Sequence, residues 1–127
     1  MDPVHTNAKW YTAELVEEIV TDGHSGNTVY IHGVLVQADS AEAAYEKACR
    51  WAEENIKETT RTAGGTPVHH VFRGFRDLYY CADEIQDGTV VSCEGPRQDV
   101  SDDELKRTVK PKWALDALVP HKQSWPV

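Results

Sequence analysis

Apolar and polar residues alternate through AKWYTAELVEEIV, residues 8–20. Tyr11, Ala13, Leu15 and Ile19 fall on one side, and Trp10, Thr12, Glu14, Val16 and Glu18 on the other. A period of two predicts a half-buried β-strand. The β-branched and aromatic run TVYIHGVLVQA (28–38) predicts a second strand, and the turn-rich TDGHSGN (21–27) joins the two as an antiparallel hairpin with a long, mobile tip.

The period then lengthens. In ADSAEAAYEKACRWAEENIKET (38–59), Ala44, Tyr45, Ala48, Trp51, Ala52 and Ile56 recur at steps of three and four. They form one apolar stripe, with Glu42, Glu46, Lys47, Arg50, Glu53 and Glu54 on the other sides, which predicts an amphipathic helix. Asp39 or Ser40 can cap it, and Asp39 with Glu42 has capping-box spacing. Small alanines on the stripe let the helix lie close on a sheet. The AGGTP stretch at 63–67 cannot continue it.

VHHVFRGFRDLYYC (68–81) predicts a third strand, but neither alternating face is purely apolar. A bulge near Gly74 would reset the alternation and bring Phe72, Phe75 and either Tyr79 or Leu78 into register. A fourth strand, TVVSC (89–93), follows the Asp87-Gly88 turn. Ser101 with Glu104 has capping-box spacing and starts a short helix that Pro111 limits. KWALDAL (112–118) predicts one more helical turn, carrying Trp113, Leu115 and Leu118 back onto the body, before a frayed end.

The predicted class is therefore α+β: an antiparallel sheet in β-β-α-β-β order, one long helix on a face, and a helical C-terminal extension. Residues 1–8 form a flexible N-terminus, 9–94 the core domain, and 95–127 an extension packed on the core or on a partner.

Charge narrows the function. Thirteen basic and twenty-one acidic residues among 127 leave a formal charge of −8. Nucleic-acid affinity comes largely from Lys and Arg neutralising phosphates, so a nucleic-acid partner is disfavoured. No apolar run approaches the length of a membrane span. An odd set of cysteines (Cys49, Cys81, Cys93) without a leading signal-peptide pattern points to a cytoplasmic chain with reduced thiols.

In their order along the chain, Trp10-Tyr11, Ala38-Asp39-Ser40 with Glu42-Ala43, Phe72 to Tyr79, and Asp87-Gly88 form a familiar series. Over residues 9–94 the chain resembles the bacterial domain-of-unknown-function family 4288. The resemblance implies a small α+β domain without an established activity, and it supplies no catalytic residue. Cys81 and the long tail depart from the family pattern, so any function held in the tail is not inherited.

The residues offer little enzyme chemistry. Adjacent His69 and His70 point to opposite sides of a strand, and the six histidines show no paired zinc spacing, so neither a metal nor a cofactor is expected. Glu14 and Glu18, on the wetter face of the first strand, read as solvated charges rather than as a general acid and base. Cys81 falls opposite Cys93 if residues 86–88 form a tight hairpin, and is separated from it if 82–88 is one long loop. Phosphate-loop, nucleophile-elbow and dinucleotide patterns are absent.

Two functional readings follow. In the first, Arg73, Phe75, Asp77 and Tyr79 share a sheet face as an interface patch, making a non-enzymatic interaction module. Its partner would be another protein or its own copy as a homodimer, with an immunity or antitoxin-like role as the specific version. The plainer alternative for the same stretch is that Arg73 and Asp77 interact with neighbouring strands while the aromatics fill the core. In the second, a small-molecule or weakly enzymatic pocket lies between helix and sheet, lined by His32, Tyr45 and His70. A buried, convergent His/Tyr/Glu group favours the second; a flat, exposed aromatic–arginine face favours the first.

Overall fold

The alternating segment becomes the centre of the sheet. In the computed structural model, which describes residues 9–56, 58–85, 87–88 and 94–120, β1 (Lys9–Thr21) pairs antiparallel on one side with β2 (Asn27–Ala38) and on the other with β4 (Pro67–Ala82). Two short strands, β3 (Thr59–Arg61) beside β4 and β5 (Glu94–Gln98) beside β2, form the edges, so the order is β3-β4-β1-β2-β5. The β1–β2 pairing runs to Val20↔Asn27, which leaves residues 21–26 as the hairpin loop.

The helix α1 (Ala41–Asn55) starts at Ser40, whose Oγ accepts from the Ala43 N–H at 3.1 Å. Ala44, Ala48 and Ala52 are fully buried, and they pack with Tyr11, Ala13, Leu15, Val36, Phe75 and Leu78 into the main core. The helix ends at Asn55, short of the expected residue 59, because the β-branched Thr59 and Thr60 go into β3 instead. A turn closed by the Thr62 and Gly65 N–H groups, with Gly65 left-handed (φ 87°), returns the chain into β4.

The bulge expected near Gly74 is present, and there is more than one. Along β1, Glu17 pairs with Phe72, Val16 with Gly74, Leu15 with Phe75 and Glu14 with Asp77, so Arg73 and Arg76 are extra residues, and a third, Cys81, falls between Tyr11↔Tyr80 and Trp10↔Ala82. Gly74 has φ 134°, a conformation that side chains rarely adopt. Each extra residue restores the alternation. Phe72, Phe75 and Leu78 consequently join the helix-side core, while Arg73 and Arg76 reach acids on the opposite face.

The last strand departs from expectation. The chain leaves the sheet at Ala82 and re-enters at Glu94 on the far edge, where β5 pairs with β2 (Thr28↔Gln98, Ile31↔Glu94). The expected strand 89–93 and its Cys93 lie outside the described residues, so the facing of Cys81 and Cys93 does too.

The extension packs on its own sheet. The helix α2 (Asp102–Thr108) is capped by Ser101, whose Oγ accepts from the Glu104 N–H at 3.1 Å. Val100 and Leu105 cover Val16, Val29 and Ile31 as a second small core on the face away from α1. The chain then crosses the β4 edge, where the Lys110 N–H donates to the Phe75 carbonyl at 2.9 Å. Short 3-10 turns at Lys112–Ala114 and Asp116–Leu118 follow, and Leu115 between them is fully buried in the main core. Trp113, expected against the body, is instead 75% exposed: it lies within the first 3-10 turn, which ends at the buried Leu115 two residues later. The N-terminal residues 1–8 and the end of the chain from 121 lie outside the described residues.

Candidate functional site

The bulges at Arg73 and Arg76 take the expected interface patch apart. Phe75 is only 4% exposed and stacks on Tyr45 of α1 with ring centroids 4.8 Å apart. Arg73 lies on the opposite face, bonded to Glu18. Asp77 serves the fold: one oxygen accepts from the Leu78 N–H at 2.9 Å and from the Asp116 N–H at 2.8 Å, tying the tail to β4. Tyr79 is half-buried opposite Thr12. Arg73, Phe75, Asp77 and Tyr79 therefore do not form one exposed surface; unbroken alternation would have been needed to put them together.

The face that read as wet is also dry at its centre. Glu14 and Glu18 are buried, not solvated. Arg76 Nε donates to Glu14 Oε1 at 2.8 Å. Arg73 grips Glu18 through Nε at 2.8 Å and Nη2 at 2.7 Å, and Asn27 Nδ2 donates to the other Glu18 oxygen at 2.6 Å. Burial pushes the Glu18 carboxyl up, but the hydrogen bonds from Asn27 and Arg73, with the arginine's charge, outweigh it and hold the group below the usual carboxylate range. Asn27 also exchanges two hydrogen bonds with the Val100 backbone, which anchors the extension to the hairpin.

On the helix side, the structure gathers a polar group beyond the apolar core. Glu17 is buried, and its two oxygens take one imidazole each: His32 Nε2 at 2.5 Å from Oε1 and His70 Nδ1 at 2.6 Å from Oε2. Strand pairing produces this arrangement, since Glu17 on β1 lies between His32 on β2 and His70 on β4. The Tyr30 ring stacks on His32 at 5.9 Å, and the Thr60 hydroxyl of β3 lies 3.0 Å from His70 Nε2. His69 turns the other way to Asp22 (2.8 Å), as its place in the strand requires.

Of the expected pocket residues, His32 and His70 thus share the Glu17 carboxylate and Tyr45 does not join them. Tyr45 packs on Phe75, with the Lys112 ammonium 4.6 Å from its ring centroid and bonded to Glu42. Burial and then the nearby Cys49 push the Tyr45 phenol up. Glu17 was not among the sequence candidates, although it carried a signal. It occupies the position between Leu15 and Ile19 on the apolar side of β1, where a charge must find partners.

His70 also lines a cleft of about 390 Å³ between α1 and the β4 edge, with Glu53, Val71 and Phe72 as the other described lining residues. One ring nitrogen of each histidine thus faces Glu17, and the second nitrogen of His70 faces the Thr60 hydroxyl, with the donor and acceptor roles set by the tautomers. Because the rings approach different oxygens, they do not converge on one point. Among the described residues, no group of three or more His, Cys, Asp or Glu side chains is arranged to hold a metal ion.

A five-stranded antiparallel sheet with one main helix and small C-terminal helical pieces defines a compact α+β domain, and a carboxylate bridged by two histidines marks its helix-side surface. The chain belongs to the family described as domain of unknown function DUF4288, whose model matches residues 10–92. Neither the curated proteins nor the solved structures contain a match to this chain.

Proposed function

We propose that this chain is a small-molecule-binding domain whose ligand sits in the cleft between α1 and β4, against His70 and the Glu17–His32 pair behind it. The observation that carries this reading is the Glu17 carboxylate held between two imidazoles at 2.5 and 2.6 Å beside an open cleft. Burying a carboxylate is costly, and a core position would ordinarily be filled by an apolar side chain. Titratable groups gathered in this way next to a concave surface of ligand size are characteristic of binding sites.

The test is a thermal-shift screen of the whole chain against a panel of small metabolites, repeated on Glu53→Trp. Glu53 is exposed on α1, so an indole there fills the cleft mouth without disturbing the core. Compounds that stabilise the parent should lose their effect in the variant. If every stabilising compound acts equally on both proteins, the cleft is not the site.

A second reading, the interaction module acting on a protein partner or a second copy, draws on a different residue. Trp113 is 75% exposed, and tryptophan is enriched in interface hot spots. Sedimentation velocity would show a concentration-dependent dimer that Trp113→Ala abolishes; a monomer at all concentrations would remove the homodimer. A cytoplasmic location, where cysteines stay reduced, is proposed with either reading and is compatible with Cys49 and Cys81 as free thiols. Among the described residues, no helix is long and apolar enough to cross a membrane.

A further inference from the structure

The geometry points to an organic cation with an apolar body, such as an arylalkyl ammonium, as the ligand class of the α1–β4 cleft. This rests on the binding reading above and goes further by stating the charge and shape of the occupant.

Three features carry it. First, the described lining combines the Glu53 carboxylate on the helix with the Phe72 ring on the strand. An ammonium group gains from both, by ion pairing with the carboxylate and by lying against an aromatic ring. Second, nothing among the described lining residues offers an anion a partner. His70 is the one candidate, and both its ring nitrogens are engaged, Nδ1 by Glu17 at 2.6 Å and Nε2 by Thr60 at 3.0 Å. Arg73 and Arg76 are committed to Glu18 and Glu14 on the other face of the sheet, and Arg50, one turn before Glu53 on α1, is not among the described lining residues. Third, the surrounding field is negative. In the segment 50–58 the acids Glu53, Glu54 and Glu58 outnumber the bases Arg50 and Lys57, Glu17 lies behind His70, and the chain carries −8 overall. Such a field concentrates cations and repels anions. A volume of about 390 Å³ accepts a body of one ring with a short arm.

The experiment uses three probes of one shape: 2-phenylethylammonium, 2-phenylethanol and phenylacetate. Each is titrated at millimolar concentration into the isotopically labelled full chain, and binding is read from amide shifts in ¹H–¹⁵N spectra. The ammonium should shift Glu53, His70 and Phe72 and bind about fivefold tighter than the alcohol, the scale of one partly exposed ion pair. Glu53→Gln should bring it down to the alcohol's affinity and leave the alcohol unchanged. If phenylacetate binds the cleft as well as the ammonium does, the ligand class is wrong while the cleft remains a binding site. If none of the three shifts these residues, the ligand class is likewise overturned, and the Glu53→Trp screen decides separately whether the cleft binds anything.

Discussion

Replacing Arg73 by alanine separates a sheet-face interaction residue from a structural one. Glu18 is buried, with a side chain 8% exposed, and it depends on Arg73 for two of its hydrogen bonds. Removing one partner of a fully buried pair costs ~3–5 kcal/mol. Here the Arg73 side chain is 45% exposed and Asn27 keeps its bond to the other oxygen, so about 2 kcal/mol is expected. For a domain of this size that corresponds to roughly 6–8 °C in Tm. The pH dependence gives the argument its sign. The folded Glu18 carboxyl lies below its unfolded value, so its stabilisation is fully present above that unfolded value and is lost as pH falls through the folded one. Arg73→Ala removes that contribution, so the gap between variant and parent should be widest near neutrality and close in acid. Urea denaturation at neutral and acidic pH measures it, with Glu18→Gln and the double variant completing a cycle whose coupling should reach about 1–2 kcal/mol. A gap within about 0.5 kcal/mol at both pH values would refute the reasoning, since that is the range of an ordinary surface substitution.

Two further substitutions test how the extension is joined to the sheet. Leu115→Ala should cost ~2–5 kcal/mol in urea denaturation, because the side chain is fully buried in the main core although it lies far outside the family match. Gly74→Ala should cost about 1–3 kcal/mol for its backbone conformation. A Cβ there would also stand 2.7 Å from Val109 Cγ1, so adding Val109→Ala should recover only part of the loss, and full recovery would show that the φ of 134° carries no strain.

Much of the fold was legible because one period dominated each segment. The strand β1, the amphipathic α1 and the Ser101 cap follow from alternation, from the alanine stripe and from capping-box spacing; at α1 the spacing points to Asp39, and Ser40, the other candidate, is the cap. What was not legible depended on pairing between distant segments. The sequence suggests a bulge near Gly74, but not that Arg73 and Arg76 are extra residues; without that, Phe75 and Arg73 read as neighbours on one face. The far-edge position of β5 is a long-range choice that no local pattern announces. Glu17 was the missed clue. A charge on the apolar side of β1, with His32 and His70 on flanking strands, could have been matched to them once the strand order was known.

The central strand explains why these errors fall together. Glu14, Glu17 and Glu18 lie on the strand that is paired on both sides, and their partners Arg76, His70 and Arg73 all come from β4. A slip of one residue would turn Glu17 toward the other face and leave buried carboxylates without cations, so the charges help to specify the register that the bulges create. All six of these residues, and His32, fall within the segment matched by the family model. The residues that close the second face, Val100, Leu105 and Val109, lie outside it. Changes in the extension should therefore lower stability without altering the Glu17 group, whereas Glu17→Leu should abolish binding in the cleft even where the sheet survives. Cleft binding that persists in a folded Glu17→Leu protein would show that the bridged carboxylate serves only the register.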